Sequence, residues 1–259
     1  MREGAIMPDD LPAQAAPPGV GSGSSGGPVG GTRVPGAGLV GYYDMPAFRG
    51  QDYEVPPIQA AGGTAVLVDD PSSAELANLD ALFVLNSSNF DYSLGYTSRL
   101  ADITAAVQSG MVLVIHDRLV DGAARILPNG STFSTLPDLS EGADINLLDT
   151  TTAVTSGLDD SSLDLGIGSN RGYALDGTLP ITAKRILGAT KPSHIVTFCY
   201  SLGKGAVIYS TIPLDFYLSF PDAAPPGHAF ADVYAPNVVR YAMAGACSVP
   251  RGGPRPTPN

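Results

Sequence analysis

Apolar residues gather in four short unbroken blocks, each ending on polar residues. Gly38-Leu-Val-Gly-Tyr-Tyr43 stops at Asp44, and Thr64-Ala-Val-Leu-Val68 stops at Asp69-Asp70. Ala81-Leu-Phe-Val-Leu85 runs into Asn86-Ser87-Ser88-Asn89, and Met111-Val-Leu-Val-Ile115 into His116-Asp117-Arg118. Blocks of this kind are strands buried on both faces. The chain between them has helical character. A helix-permissive stretch over 55–61 ends at Gly62-Gly63, and residues 94–108 place Tyr96, Leu100, Ile103 and Val107 on one face before Gly110. A second short helix is expected over 119–126, carrying Leu119, Ala123 and Ile126 and closed by Pro128.

Strands alternating with helices predict a three-layer, flavodoxin-like α/β domain, with a mostly parallel sheet and helices on both faces. Right-handed crossovers bring the carboxyl ends of the strands to one edge, where open α/β sheets build their sites. Asp44, Asp69, Asp70, Asn86, Ser87, Asn89, His116, Asp117 and Arg118 all arrive there. The second half is less regular. Residues 129–193 read as loop-rich, with a strand at 145–148. His194-Ile-Val-Thr-Phe-Cys-Tyr200 and Ala206-Val-Ile-Tyr-Ser210 flank Leu202-Gly203-Lys204-Gly205, which predicts a C-terminal β-hairpin. Pro236 opens a last amphipathic helix with Val239, Ala242, Met243 and Ala246 on one side.

Composition sets the domain limits. Of 31 Gly and 23 Pro, residues 1–38 hold 10 and 6, and residues 250–259 hold 2 and 4. Residues 1–37 therefore read as a disordered Gly/Pro/Ser-rich arm, 38–248 as one α/β domain, and 249–259 as a flexible tail. Gly23-Ser24-Ser25-Gly26-Gly27 matches the GxSxG nucleophile pattern but lies in low-complexity sequence, where the required strand–turn–helix is not expected. Between 39 and 248 there are 22 acids and 10 bases, without a basic cluster, so neither nucleic acid nor an anionic membrane surface is an expected partner. No apolar run is long enough to span a membrane. The first residues have no apolar core of a secretory signal. Cys199 and Cys247 have neither zinc nor CxxC spacing. Two buried free thiols are expected, with pairing as the alternative.

The helix ending at Gly110, the run Val112-Leu-Val-Ile-His116, and the Gly203-Lys204-Gly205 hairpin leading to Tyr209-Ser-Thr resemble the class I glutamine-amidotransferase-like superfamily, especially its trehalose-utilisation-type branch. Tyr209-Ser-Thr-Ile-Pro-Leu-Asp-Phe-Tyr217, Tyr234-Ala-Pro-Asn237 and Ile115-His-Asp-Arg118 also resemble an uncharacterised module of large bacterial surface and calcium-binding-repeat proteins. That second likeness implies an extracellular setting. The superfamily's reaction uses a Cys at the turn after the strand that here ends in His116, and a His where this chain reads Ile212-Pro213-Leu214. Without a thiolate beside a base the covalent chemistry lacks its nucleophile.

The resemblance therefore implies a non-catalytic binding or structural module, with other protein domains or a polar small molecule as partner. Asn86, Ser87, Asn89, His116, Asp117, Arg118, Asp215 and Tyr217 are its candidate binding residues. The alternative is a hydrolase acting on a polar small molecule or sugar derivative, with His116 as base and Asp117 orienting it. Neighbours on a strand point to opposite faces, so that pair works together only if the chain turns there. Asp138, Glu141, Asp144, Asp149, Asp159, Asp160 and Asp164 do not fit a calcium loop and read as solvated turns. His194 and His228 look isolated, and no metal site is expected. No cofactor is expected either: Gly166-Ile-Gly168-Ser-Asn-Arg-Gly172 lacks the spacing and preceding strand of a dinucleotide fingerprint.

Overall fold

The structure, a computed structural model, describes residues 38–45, 52–166 and 168–247. The arm, the tail and the GxSxG match lie outside the described residues. The four apolar blocks form β1 (Leu39–Met45), β2 (Thr64–Leu67), β3 (Ala81–Asn86) and β4 (Val112–Asp117). The expected hairpin is β9 (His194–Leu202) and β10 (Gly205–Ser210), turning through Gly203 at φ +61°. Strand order β2-β1-β3-β4-β10 is parallel throughout, which is the flavodoxin-like arrangement. Beyond β10 the sheet turns antiparallel through β9 and the shorter β5 (Thr135–Pro137), β6 (Asn146–Leu147), β7 (Gly172–Leu175) and β8 (Lys184–Gly188).

Helices cover both faces. On one lie α1 (Val55–Ala60), α5 (Leu214–Ser219) and α6 (Ala235–Met243), packed on Tyr42, Phe83, Val114 and Ile208. On the other lie α2 (Ser73–Leu76), α3 (Leu94–Thr97) and α4 (Leu100–Ser109), packed on Tyr43, Val84, Ile115 and Tyr209. Alternate residues of β1, β3, β4 and β10 supply the two cores, which is why these strands read as continuous apolar runs. β2, expected to be buried on both faces, is instead an edge strand with Val66 and Leu67 exposed.

Three local expectations are corrected. The helix over 94–108 is two helices, because Arg99 leaves helical geometry at φ −100°, ψ 7° and its guanidinium is held by Asp70. Residues 119–126 form no α-helix. Val120 (φ +56°) and Gly122 (φ +85°) turn the backbone left-handed, leaving a single 3₁₀ turn at Ala123–Arg125. The final helix is preceded by a π-helical turn, Ala229–Tyr234. Pro236 lacks an N–H and crowds the carbonyl four residues back, which widens the turn before it.

The cysteines are not free thiols. Cys199, buried in β9, is disulfide-bonded to Cys247, with Cα atoms 6.1 Å apart. The packing of α6 across the face that carries Cys199 brings the residue after its final turn onto β9, and a separation of 48 residues gave no sign of it.

Candidate functional site at the carboxyl ends of the strands

His116 and Asp117 end β4 on opposite faces of the sheet, and both are buried. The chain does not turn there, because β4 stays paired with β3 as far as Asn86↔Asp117. The two side chains therefore do not meet.

Asp117 is a hydrogen-bond hub. Its Oδ1 accepts from Asn86 Nδ2 at 2.9 Å and from the backbone N–H of Leu119 at 3.0 Å. Its Oδ2 accepts from the hydroxyls of Tyr92 and Tyr209, each at 2.9 Å. Burial pushes its carboxyl pKa upward against the opposing hydrogen bonds from Asn86, Tyr92 and Tyr209. Asn86 Oδ1 in turn accepts from the N–H of Ser88, so one carboxylate ties β3, β4, β10 and the 88–92 loop together. Ser87 donates to the Met45 carbonyl at 3.0 Å.

The opposite face carries a row set by strand register: Asp44, Leu85, His116, Ser210 and Thr197. His116 Nε2 lies 3.2 Å from the Tyr234 hydroxyl, while Nδ1 is buried without a hydrogen-bond partner. The ring packs edge-on against Phe83 and Tyr234. Desolvation pushes its pKa down to about 3, so the imidazole is neutral. Tyr234 continues to Ser210 Oγ at 3.3 Å, and Ser210 to Thr197 Oγ1 at 2.9 Å. At the end of the row Glu54, just before α1, is wholly buried beside the carboxyl of Asp44. Burial and the facing carboxyl of Asp44 lift its pKa to about 9, so it is protonated at neutral pH.

Arg118, one residue beyond β4, makes a bidentate pair with Asp215 of α5: Nε to Oδ1 at 3.3 Å and Nη2 to Oδ2 at 2.5 Å. Nη1 has no partner among the described residues. Burial raises the pKa of Asp215 against the opposing pull of Arg118. Tyr217 is buried with its ring stacked on Phe230. A Cβ at Gly166 would lie 2.2 Å from the Tyr217 hydroxyl and 2.4 Å from Ser169 Oγ, so this contact requires glycine.

An open cleft of about 570 Å³ lies at this edge, lined by Asn89, Arg118, Leu119, Asp121, Pro137, Asp138, Leu139 and Arg171. Arg171 donates to Asn89 Oδ1 at 3.0 Å across the cleft floor. Of the eight sequence candidates, the cleft collects Asn89 and Arg118. Asn86 and Asp117 are joined in the buried hydrogen-bond network, Ser87 is bonded to Met45, Asp215 braces Arg118, and His116 and Tyr217 belong to the opposite face. Arg171, Tyr92, Tyr209, Tyr234 and Glu54 were not anticipated. For Arg171 a signal existed, since it is the single base between Arg125 and Lys184.

The acid-rich stretches are turns closed by their own carboxylates: Asp138 accepts from Ser140, Asp149 from Thr151, and Asp159 from Ser161 and Ser162. Asp160 and Asp164 accept from the N–H groups of Leu147 and Ile145. Among the described residues, no three His, Cys, Asp or Glu side chains are grouped to hold a metal ion. His194 and His228 are not isolated. His194 Nδ1 lies 2.7 Å from Glu141 with its ring stacked on Tyr173, and His228 lies between Asp222 and Asp232. No described helix is long and apolar enough to cross a membrane.

The strand order defines a flavodoxin-like α/β domain, with an open cleft at the edge where such sheets build their sites. No family model matches the sequence, and a search of curated proteins finds no relative. Solved structures do share the fold. A cytoplasmic protein of Salmonella typhimurium is 10% identical, with a TM-score of 0.54 over 80% of this chain and 99% of that one. A second, also a cytoplasmic protein of Salmonella typhimurium, is 11% identical, with a TM-score of 0.50 over 79% and 98%. A protein from Parabacteroides merdae described as ThuA-like is 11% identical, with a TM-score of 0.47 over 85% and 94%, too loose a likeness to carry weight. At such identities the likenesses establish the fold alone.

Proposed function

We propose that this chain is a non-catalytic binding module of amidotransferase-like architecture, taking a polar small molecule in the cleft beside Arg118, Arg171 and Asn89. The observation that carries the reading is the back-to-back placement of His116 and Asp117. The imidazole is enclosed and neutral on one face, and the carboxylate is filled by four donors on the other. A general base needs access to its substrate and an orienting group on its own side. The disulfide adds support, because neither cysteine is a thiol available for amidotransferase chemistry. It also favours maturation in an oxidising compartment, in keeping with a bacterial surface or secreted assembly.

The test is a two-part measurement on the full chain. A panel of polar small molecules is titrated while amide shifts are followed, alongside turnover assays on chromogenic esters, amides and glycosides. Binding that perturbs residues 89, 118–121, 137–139 and 171, with no turnover, is the expected result. Turnover that is abolished in His116→Phe while the fold is retained would overturn the reading.

A further inference from the structure

His228 stands where two short elements meet. Its Nε2 lies 2.9 Å from Asp222 Oδ1, in the 3₁₀ turn Pro221–Ala223. Its Nδ1 lies 2.8 Å from Asp232 Oδ2, in the π-helical turn Ala229–Tyr234. A neutral imidazole carries one N–H and can donate to one carboxylate only, and a carboxylate offers no hydrogen to the other nitrogen. Both contacts are hydrogen bonds together only when the ring is an imidazolium. Asp222 and Asp232 are the two charged groups acting on it, and both raise its pKa above 6.5.

The surrounding backbone is built to hold this position. A Cβ at Gly227 would lie 2.0 Å from the Pro221 carbonyl oxygen, so the 221–227 loop closes this tightly only with glycine there. From the π-helical turn, Phe230 stacks on Tyr217 with ring centroids 4.1 Å apart, and Tyr234 reaches His116. Tyr217 and Asp215 share helix α5, and Asp215 holds Arg118 at the cleft. The turn that His228 clasps thus carries Phe230 and Tyr234, which pack on Tyr217 and His116 in the core behind the cleft.

We propose that His228 is a proton-operated clasp: as an imidazolium it fastens the 221–223 turn to the π-helical turn, and its deprotonation loosens that turn. The sign follows from linkage. A base whose pKa is higher in the folded protein contributes stability at low pH and loses it as pH rises through the folded value. All three side chains are exposed, so the clasp is weak, sensitive to salt, and local in its effect.

The test needs no ligand. The His228 ring resonance is titrated by NMR in the full chain and in Asp222→Asn/Asp232→Asn, and amide exchange over 229–234 is compared with His228→Gln at each pH. The titration midpoint is expected above 6.5 in the parent and lower in the double variant. Below the midpoint, exchange in the parent should be slower than in His228→Gln by roughly threefold, and above it the two should coincide. A parent midpoint at or below that of the double variant, or equal exchange in parent and His228→Gln on both sides of the titration, would overturn the proposal. Because no ligand is involved, either outcome leaves the binding reading of the cleft untouched.

Discussion

The two faces of the sheet at the end of β4 meet one problem, a buried ionisable side chain, in opposite ways. On the Asp117 face the group stays polar and is surrounded by donors from two strands and two loops. On the His116 face the group gives up its charge, keeps one hydrogen bond and leaves a nitrogen unpartnered. Removing one partner from a saturated buried network leaves the rest unsatisfied, whereas a neutral ring among aromatics behaves nearly as an apolar side chain. The first face is held by its polar centre. The second is held by packing, by the π-helical turn and by a disulfide.

The largest effect is expected from Asp117→Leu. It deprives the Tyr92 and Tyr209 hydroxyls and the Asn86 amide of their shared acceptor, and should cost about 3–5 kcal/mol in urea unfolding. Asp117→Asn should lose clearly less; equal losses in the two variants would show that the hub is not what holds this face. Next comes the disulfide. Replacing Cys199 and Cys247 together by Ala should lower stability by about 2–4 kcal/mol, and the loss should vanish when both proteins are compared under reducing conditions.

Glu54→Gln probes the end of the His116 row. The folded carboxyl, at about 9, keeps a proton that the unfolded chain releases from about 4.5 upward, so wild-type stability falls as pH rises between those values. The variant should flatten that slope, by at most about 1.4 kcal/mol per pH unit. An unchanged slope would mean that Glu54 is not carrying the proton. The smallest effect belongs to His116→Phe, within about 1 kcal/mol at pH 7. Its informative readout is acidification. With a folded pKa of about 3, wild type loses stability as pH falls from 6.5 towards 3, while the variant should lose less over the same range.

Much of the parallel half was legible in sequence, because β1, β3, β4 and β10 are buried on both faces and so announce themselves without knowledge of their neighbours. Pairing of Asn86 with Asp117 was not legible, since it depends on register between β3 and β4. The π-helical turn was hidden as well. Pro236 marked a helix start, and the strain it imposes upstream depends on a helix already running through Tyr234. Arg171 shows the limit from the other side. It stands out as a lone base in an acidic stretch, yet only the fold of residues 129–193 carries it across to Asn89. Sequence could name the edge and two of the side chains that line the cleft, Asn89 and Arg118, but not the residues that the 129–193 region brings to it.

The bond between Cys199 and Cys247 has a mechanical consequence. Tension applied to the chain beyond Cys247 is delivered through sulfur directly to β9, near the middle of the sheet. The 47 residues between the two cysteines, including β10, α5 and α6, lie inside a covalent bypass and bear none of that load. A helix that would otherwise peel away first is thereby shielded, and the domain must yield by shearing the strands of its sheet.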